Sequence, residues 1–268
     1  MAQFHPKDDA DQINRGLPDS ASAVTSGSRP SSPKRRKFLH MAVGGAVGGL
    51  VTPVAMEFVT PSSLGAQTTI TPEMALKELV RGNKRFVAVR MRSFELDLAI
   101  LRNHTSELQQ PFAAVLACAD SRVPVELVFD QSIGQIFVTR VAGNVTTSEI
   151  IASLEYGAAV LGVKVILVMG HSSCGAVEAA IQSKEVSGQI SALFPHIQPA
   201  VDQAGPDVDA VSKANAKLQA DLLRKASTAI SGLIKEGKLL VLAAFYNIAS
   251  GEVTLLDQDT DHDMDMSG

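Results

Sequence analysis

The chain has 268 residues, of which 46% are hydrophobic, 19% charged and 4% aromatic, a composition that excludes a disordered, collagenous or membrane-embedded protein. The net charge is −4, with 7 basic against 5 acidic residues up to position 66 and 17 against 23 after it, so we expect no nucleic-acid-binding body. The 2 cysteines are too few for a disulfide framework.

The first part of the chain, residues 1–66, is predicted to be a leader. Residues 1–33 are rich in Ser, Pro, Asp and Gly without apolar periodicity, so we expect them to be disordered. A basic run, 34–37, then precedes an uncharged, glycine-rich apolar stretch, 41–56. This order is typical of a signal peptide, and the stretch is shorter than the roughly 20 residues of a membrane span, so we expect no permanent anchor.

The basic run contains a pattern used in protein export. The pair Arg35-Arg36 followed by Phe38-Leu39 resembles the twin-arginine export signal. The resemblance implies recognition by the twin-arginine export machinery and a periplasmic or extracellular location. The alternative is a chance basic cluster on a disordered leader.

From position 67 the pattern predicts one α/β domain. Thr71 as a cap and Pro72 at the first helical position begin a helix that apolar spacing carries to about Val89. A second helical stretch is predicted over about 95–108. Three short apolar runs predict buried parallel strands, with a helix before the third. These strands cover 112–117, 135–140 and 164–169, and the helix covers 147–161.

The rest of the domain is predicted to be largely helical over about 175–236, followed by a late pair of strands. The alternation of strands and helices predicts a parallel-core sheet flanked by helices. Residues 257–268 carry aspartates at alternate positions without the Gly and Glu offsets of a calcium loop, so they are predicted to form an acidic flexible tail. The late strands cover 239–247 and 252–256.

Side chains that can bind metal follow two of the predicted parallel strands. Cys118 directly follows the first strand, and His171 and Cys174 directly follow the third. Because the carboxyl ends of parallel strands meet at one edge of a sheet, we expect these side chains to converge. Two thiolates and one imidazole suit Zn²⁺, and three protein ligands leave the fourth position open, as in catalytic zinc sites.

Three other interpretations of the thiols remain open. Cys118 and Cys174 form a disulfide in an oxidising compartment, which leaves His171 unexplained. Alternatively, both are ordinary core cysteines, which does not account for Asp120 and Arg122 beside the first of them. A lone nucleophilic cysteine leaves the second thiol without a role.

The residues after the strands resemble the β-carbonic anhydrase family, and the resemblance covers about residues 71–257. One motif is Cys-x-Asp-x-Arg and the other is His-x-x-Cys-Gly, and their first residues lie 53 positions apart. They stand here as Cys118-Ala119-Asp120-Ser121-Arg122 and His171-Ser172-Ser173-Cys174-Gly175. Three further segments match the family, namely Leu79 to Phe86, Arg140 to Asn144 and Tyr246 to Gly251.

This resemblance implies reversible hydration of CO₂ to bicarbonate and a proton by a zinc-bound hydroxide, with zinc held by Cys118, His171 and Cys174. It implies that Asp120 orients the hydroxide and that Arg122 keeps Asp120 ionised. It also implies a homodimer or higher oligomer, with the substrate pocket beside a subunit interface. Gln109 matches the family position whose amide orients bicarbonate, and Phe137 and Tyr156 match positions that line the CO₂ pocket in the plant-like subgroup. The backbone N–H of Gly175, which opens a predicted helix, is a candidate donor to the same anion.

Two rival functions and one question about the site stay open. The same scaffold can serve a hydrolase of carbon disulfide or carbonyl sulfide, or a zinc-binding protein with a closed site and no turnover. In a second subgroup of the family, the counterpart of Asp120 closes the zinc site under control of bicarbonate bound by a Trp, an Arg and a Tyr. The chain contains 0 Trp, so that switch is not expected in its usual form, but closure by Asp120 itself stays open.

Overall fold

The computed structural model describes residues 68–92, 109–183 and 188–256. The predicted leader with its export signal, the second helical stretch and the acidic tail lie outside the described residues. None of the helices described here combines the length and the hydrophobicity that a membrane-spanning segment requires.

The described residues form a five-stranded sheet of order β2-β1-β3-β4-β5. The first four strands are parallel, and β5 pairs antiparallel with β4 across a tight connection. This arrangement confirms the predicted parallel core and late strand pair. The strands are β1 (Ala113–Ala117), β2 (Ile136–Arg140), β3 (Val165–His171), β4 (Leu240–Tyr246) and β5 (Val253–Leu255).

Helices connect the strands and cover both faces of the sheet. The predicted helix before β3 begins as an α-helix and continues as a single π-helical segment over Tyr156–Val160, a change of period that the apolar spacing does not reveal. The α-helices are α1 (Pro72–Val87), α2 (Val125–Val128), α3 (Ser148–Glu155), α4 (Gly175–Gln182), α5 (Phe194–Ala204), α6 (Val208–Ala226) and α7 (Thr228–Lys235). Two 3₁₀ turns cover Ala142–Asn144 and Ile190–Leu193.

Side chains of β1 and β3 alternate between two hydrophobic cores, as the period of a strand requires. Val115 and Leu167 pack on the side covered by α1 and α2. Leu116 and Val168 pack on the opposite side, against α6 and α7. All residues of both strands are buried, so the continuous apolar runs in the sequence reflect burial on both faces.

One buried asparagine joins helix α1 to the segment at the start of β5. Asn83 Nδ2 donates to Val128 O at 3.1 Å and to Gly251 O at 2.8 Å, and its Oδ1 accepts from Val253 N at 2.9 Å. The preceding residue, Gly82, lies against α2 so closely that a Cβ there would be 1.7 Å from Phe129 O. Helix α1 therefore packs where only a glycine fits, and Asn83 satisfies three backbone groups from two other segments.

Candidate metal centre

Two neighbouring parallel strands bring the predicted metal ligands together. Cys118 follows the last residue of β1, His171 is the last residue of β3, and Cys174 directly precedes α4. All three are buried, and their ligand atoms lie within 4.8 Å of one another. The two sulfurs are 4.0 Å apart. The structure thus confirms that these three side chains converge at the carboxyl edge of the sheet.

The donor set and its spacing fit a zinc ion. Zinc–sulfur bonds of about 2.3 Å in a tetrahedral arrangement place two sulfurs about 3.8 Å apart, close to the observed spacing. His171 Nδ1 lies 2.9 Å from Ser172 O. Because a carbonyl oxygen only accepts, Nδ1 carries the proton and Nε2 presents a lone pair. Nε2 is buried and has no hydrogen-bond partner within the described part of the chain, as expected for a nitrogen that coordinates a metal ion.

The two thiols differ in acidity in the protein without bound metal. The pKa of Cys118 is lowered to about 4, first because the Cys174 thiol donates to its sulfur and further because the backbone N–H of Gly143 donates to it. The pKa of Cys174 is raised, because its proton is shared with the neighbouring sulfur and because it is buried. The pair therefore holds one proton and one negative charge near neutral pH.

Asp120 and Arg122 lie at the open side of the ligand cluster. Arg122 Nε and Nη2 donate to Asp120 Oδ1 and Oδ2 at 3.0 and 2.8 Å, and the backbone N–H of Arg122 donates to Oδ1 at 2.9 Å. These bonds hold the pKa of Asp120 far below its usual range. Asp120 Oδ2 is 3.9 Å from His171 Nε2, so the carboxylate lies beside the ligand atoms while bound to arginine.

Other side chains fix the loops that carry the ligands, and the sequence motifs assigned them no role. Arg140 Nε donates to Cys118 O at 2.9 Å, and its Nη2 donates to the carbonyl of Asp120. Ser173, which has a positive φ of 53°, donates its N–H to Asp209 Oδ1 at 2.9 Å and accepts from Arg122 Nη2 at 3.0 Å. Arg140 ends a predicted parallel strand, so its place at this edge was inferable, whereas Asp209 belongs to a distant helix.

The predicted substrate-contacting residues occupy different parts of the described chain. Gly175 opens α4 beside Cys174 and is exposed, and among the described residues none beyond its own helix and its chain neighbours lies within 4 Å of the place where a Cβ would be. Phe137 and Tyr156 meet each other, with ring centroids 6.3 Å apart. Phe137 pairs with Ala114, in the amino-terminal half of β1. Gln109 is exposed and precedes the amino end of β1, whereas Cys118 follows its carboxyl end.

Comparison with known proteins supports one family. The family model described as carbonic anhydrase matches residues 113–253. Carbonic anhydrase 2 of Mycobacterium tuberculosis is 35% identical over 197 residues, which is 69% of this chain and 93% of that protein. A structure from Sordaria macrospora, described as a tetrameric β-carbonic anhydrase, matches with a TM-score of 0.54 and 24% identity over 60% of this chain and 90% of its own. A Coccomyxa β-carbonic anhydrase in complex with acetazolamide matches with a TM-score of 0.53 and 25% identity over 59% of this chain and 77% of its own.

Proposed function

The chain belongs to the β-carbonic anhydrase family, and from that membership and the geometry of its site we infer that it catalyses the reversible hydration of CO₂ to bicarbonate and a proton. The observation that carries this inference is the convergence of Cys118, His171 and Cys174 beside an Asp120 that is bound by arginine. Two thiolates and one imidazole at this spacing would hold Zn²⁺. A zinc ion held by these residues would supply a nucleophile for CO₂ at neutral pH, because bound zinc acidifies water.

Asp120 orients the nucleophile in this proposal. Its carboxylate is kept ionised by Arg122 and therefore only accepts hydrogen bonds. Asp120 Oδ2 lies on the side of His171 Nε2 and would accept a hydrogen bond from the nucleophile there. This bond would fix the direction in which the lone pair of the nucleophile points toward the carbon of CO₂. Arg122 fixes the carboxylate plane by bonding to both oxygens, and it ties the same unit to the Ser173 carbonyl of the neighbouring ligand loop.

The same arrangement supports a site with an open position. A carboxylate held by two guanidinium bonds and a backbone N–H is engaged away from the metal, so three ligands remain for the ion. This geometry favours a catalytic zinc site and not the alternative of a zinc-binding protein whose site is closed. The N–H of Gly175, an exposed residue at the start of α4, is a suitable donor to the bicarbonate product, because it lies at a helix N-terminus.

We assign the remaining substrate contacts to an oligomer of the plant-like type. Gln109 and Cys118 lie beyond opposite ends of β1, and Phe137 is level with Ala114 near the amino end of that strand. Tyr156, whose ring meets that of Phe137, is 45% exposed and therefore free to face another subunit. We propose that Gln109, Phe137 and Tyr156 contribute to the zinc site of a partner subunit in a homodimer or larger assembly. The tetrameric Sordaria relative supports an assembly of this kind.

The test is stopped-flow CO₂ hydration by the full chain, with zinc per chain measured on the same sample. We expect about one zinc ion per chain and turnover that rises with pH and is lost with a chelator. Cys118→Ser is the matched variant, because it changes one ligand atom and should lose zinc and turnover together. Zinc-loaded protein without turnover at any pH would overturn the proposal, and carbon disulfide would be the next substrate tried.

We also propose that the chain is exported by the twin-arginine route to the periplasm or beyond it. The support is the sequence pattern alone, in which Arg35-Arg36 and Phe38-Leu39 precede an uncharged apolar stretch. The test is fractionation of cells that express the full chain. Export should be lost when Arg35 and Arg36 are both replaced by Lys, and a control with Lys34→Arg should be exported normally. Equal export of the double variant would contradict this route.

A further inference from the structure

A short turn after β2, which we call the Gly143 turn (residues 142–146), touches one of the proposed zinc ligands. Gly143 N–H donates to Cys118 Sγ at 3.3 Å. Gly143 and Asn144 both have positive φ, 73° and 44°. Such a backbone costs free energy for a non-glycine residue, so the turn needs partners that hold it in place.

Two buried amides of helix α6 provide those partners. Asn215 Nδ2 donates to Gly143 O at 2.8 Å, and Gln219 Oε1 accepts from Thr146 N at 2.7 Å. Gln219 Nε2 in turn donates to Asn215 Oδ1 at 3.1 Å and to His196 O at 2.9 Å. Helix α6 therefore holds the Gly143 turn at both ends, and the second amide fixes the orientation of the first.

This network places polar groups where packing alone would favour apolar ones. Asn215 is 0% exposed and Gln219 is 3% exposed, although α6 packs on the sheet through Ala216, Ala220 and Leu223. Buried amides are tolerated only when their polar atoms find partners. The side chain of Asn215 finds them at the Gly143 turn and at Gln219, so the geometry of the turn depends on this residue.

We propose that Asn215 is a positioning residue of the metal centre, which acts through Gly143 to direct a backbone N–H at the sulfur of Cys118. The inference rests on the proposed zinc site. A hydrogen bond to a ligating thiolate orients the sulfur and reduces the charge it gives to the metal, so its loss should change both metal affinity and the electronic spectrum of a bound ion.

The test is Asn215→Asp in the full chain. Aspartate keeps an oxygen for Gln219 Nε2 but replaces the amide donor with an oxygen that faces the Gly143 carbonyl. We expect zinc affinity, measured by competition with a chelator, to fall about 10-fold. We also expect the thiolate-to-metal absorption band of the Co²⁺-loaded protein to move relative to wild type. A helix that served only for packing would leave that band unchanged.

The control is Ser212→Ala, on the same helix and as fully buried as Asn215. Ser212 Oγ donates to Val208 O at 2.7 Å, within α6 and away from the Gly143 turn, so this variant should keep the wild-type affinity and spectrum. Wild-type affinity and spectrum in Asn215→Asp, or the same losses in Ser212→Ala, would overturn the inference. Wild-type protein that binds no zinc would instead overturn the proposed function on which it rests.

A second variant covers the case in which Asn215→Asp does not fold. Gln219→Glu keeps an oxygen for Thr146 N but places another oxygen against Asn215 Oδ1, which removes the bond that orients Asn215. We expect a smaller fall in zinc affinity and a shift of the Co²⁺ band in the same direction. An unchanged band in folded Gln219→Glu protein would count against the network.

Discussion

Arg122 binds both carboxylate oxygens of Asp120, with Nε 3.0 Å from Oδ1 and Nη2 2.8 Å from Oδ2. The same guanidinium also donates to Ser173 O at 3.0 Å, one residue before the ligand Cys174. One side chain therefore connects the loop after β1 with the loop after β3. Arg122 thereby fixes the position of the Asp120 carboxylate relative to the loop that carries Cys174.

Replacement of Asp120 should separate catalysis from metal binding. Asp120→Ala removes the acceptor that orients the nucleophile and leaves the three ligands in place, so we expect turnover to fall about 100-fold while zinc per chain is unchanged. Both are measured on one preparation by stopped-flow hydration and metal analysis. Asp221→Ala is the control, because Asp221 forms a surface ion pair with Arg224. Unchanged turnover in Asp120→Ala would contradict its assigned role.

The low pKa of Asp120 predicts how stability depends on pH. Because the hydrogen bonds from Arg122 depress the folded-state pKa, the stabilisation is present above the unfolded value of about 3.9 and is lost as pH falls through the folded pKa. Arg122→Met removes those bonds. The difference in free energy of unfolding between wild type and this variant should be constant above about pH 5 and shrink below about pH 4.

The measurement is urea unfolding of metal-free protein at several pH values. The difference should be small, because the Arg122 side chain is half-exposed and its pairing is screened by water. A difference that is as large at pH 3 as at pH 7 would show that the carboxylate does not depend on Arg122 for its ionisation.

The unequal thiols predict one thiolate per chain in metal-free protein at neutral pH. The pKa of Cys118 is lowered to about 4 and that of Cys174 is raised, so only one sulfur is ionised. Thiolate absorbance in the ultraviolet should therefore persist at pH 7 and disappear as pH falls through about 4. The stabilisation from this thiolate is lost as pH falls through the folded value and grows up to the unfolded value of about 8.5, above which the raised pKa of Cys174 acts in the opposite direction. Cys118→Ser should remove the absorbance at pH 7, and its persistence there would contradict the assignment.

The hydrogen bonds of Asn83 should contribute several kcal/mol to the free energy of unfolding. Asn83→Leu leaves two backbone carbonyls and one backbone N–H without their buried partner, at about 1–3 kcal/mol each. We expect the free energy of unfolding to fall by about 3 kcal/mol or more. Lys84→Ala, at the next and exposed position of α1, should change it by about 0.5 kcal/mol or less. A loss below about 1 kcal/mol for Asn83→Leu would mean that water replaces the amide.

The sequence predicts the fold wherever local pattern and burial agree. The strand predicted over 112–117 is observed as Ala113–Ala117, and the helix predicted to begin at Thr71 and Pro72 begins there. Those predictions succeed because the strands are buried on both faces and because Thr71 Oγ1 accepts from Met74 N at 3.3 Å. The ligands were equally predictable, since each follows a parallel strand whose carboxyl end lies at the same edge.

The contacts that hold the ligand loops in place could not be predicted from sequence patterns. Asp209 and Asn215 lie on one helix that reaches the ligand loops only after the chain has folded. In the sequence, both residues look like ordinary polar positions of a helix. The helical period predicts which face of α6 is buried, but it does not predict which residues of other elements that face will contact. The positive φ of Ser173 and Asn144 likewise depends on tertiary contacts that hold a costly backbone.

The bond between Asn83 and Val253 joins residues 170 positions apart, and it has a consequence for the order of folding during synthesis. Helix α1 is made first, but its amide has no partner at Gly251 or Val253 until nearly the whole described chain has left the ribosome. Because long-range contacts form late and slowly, these two bonds should form only after the inner strands have assembled, whereas Val128 and the side chains of β1 and β3 are available to α1 earlier. A chain that stalls before β5 would leave the Asn83 end of α1 without these two bonds, and local opening there would expose it to proteases.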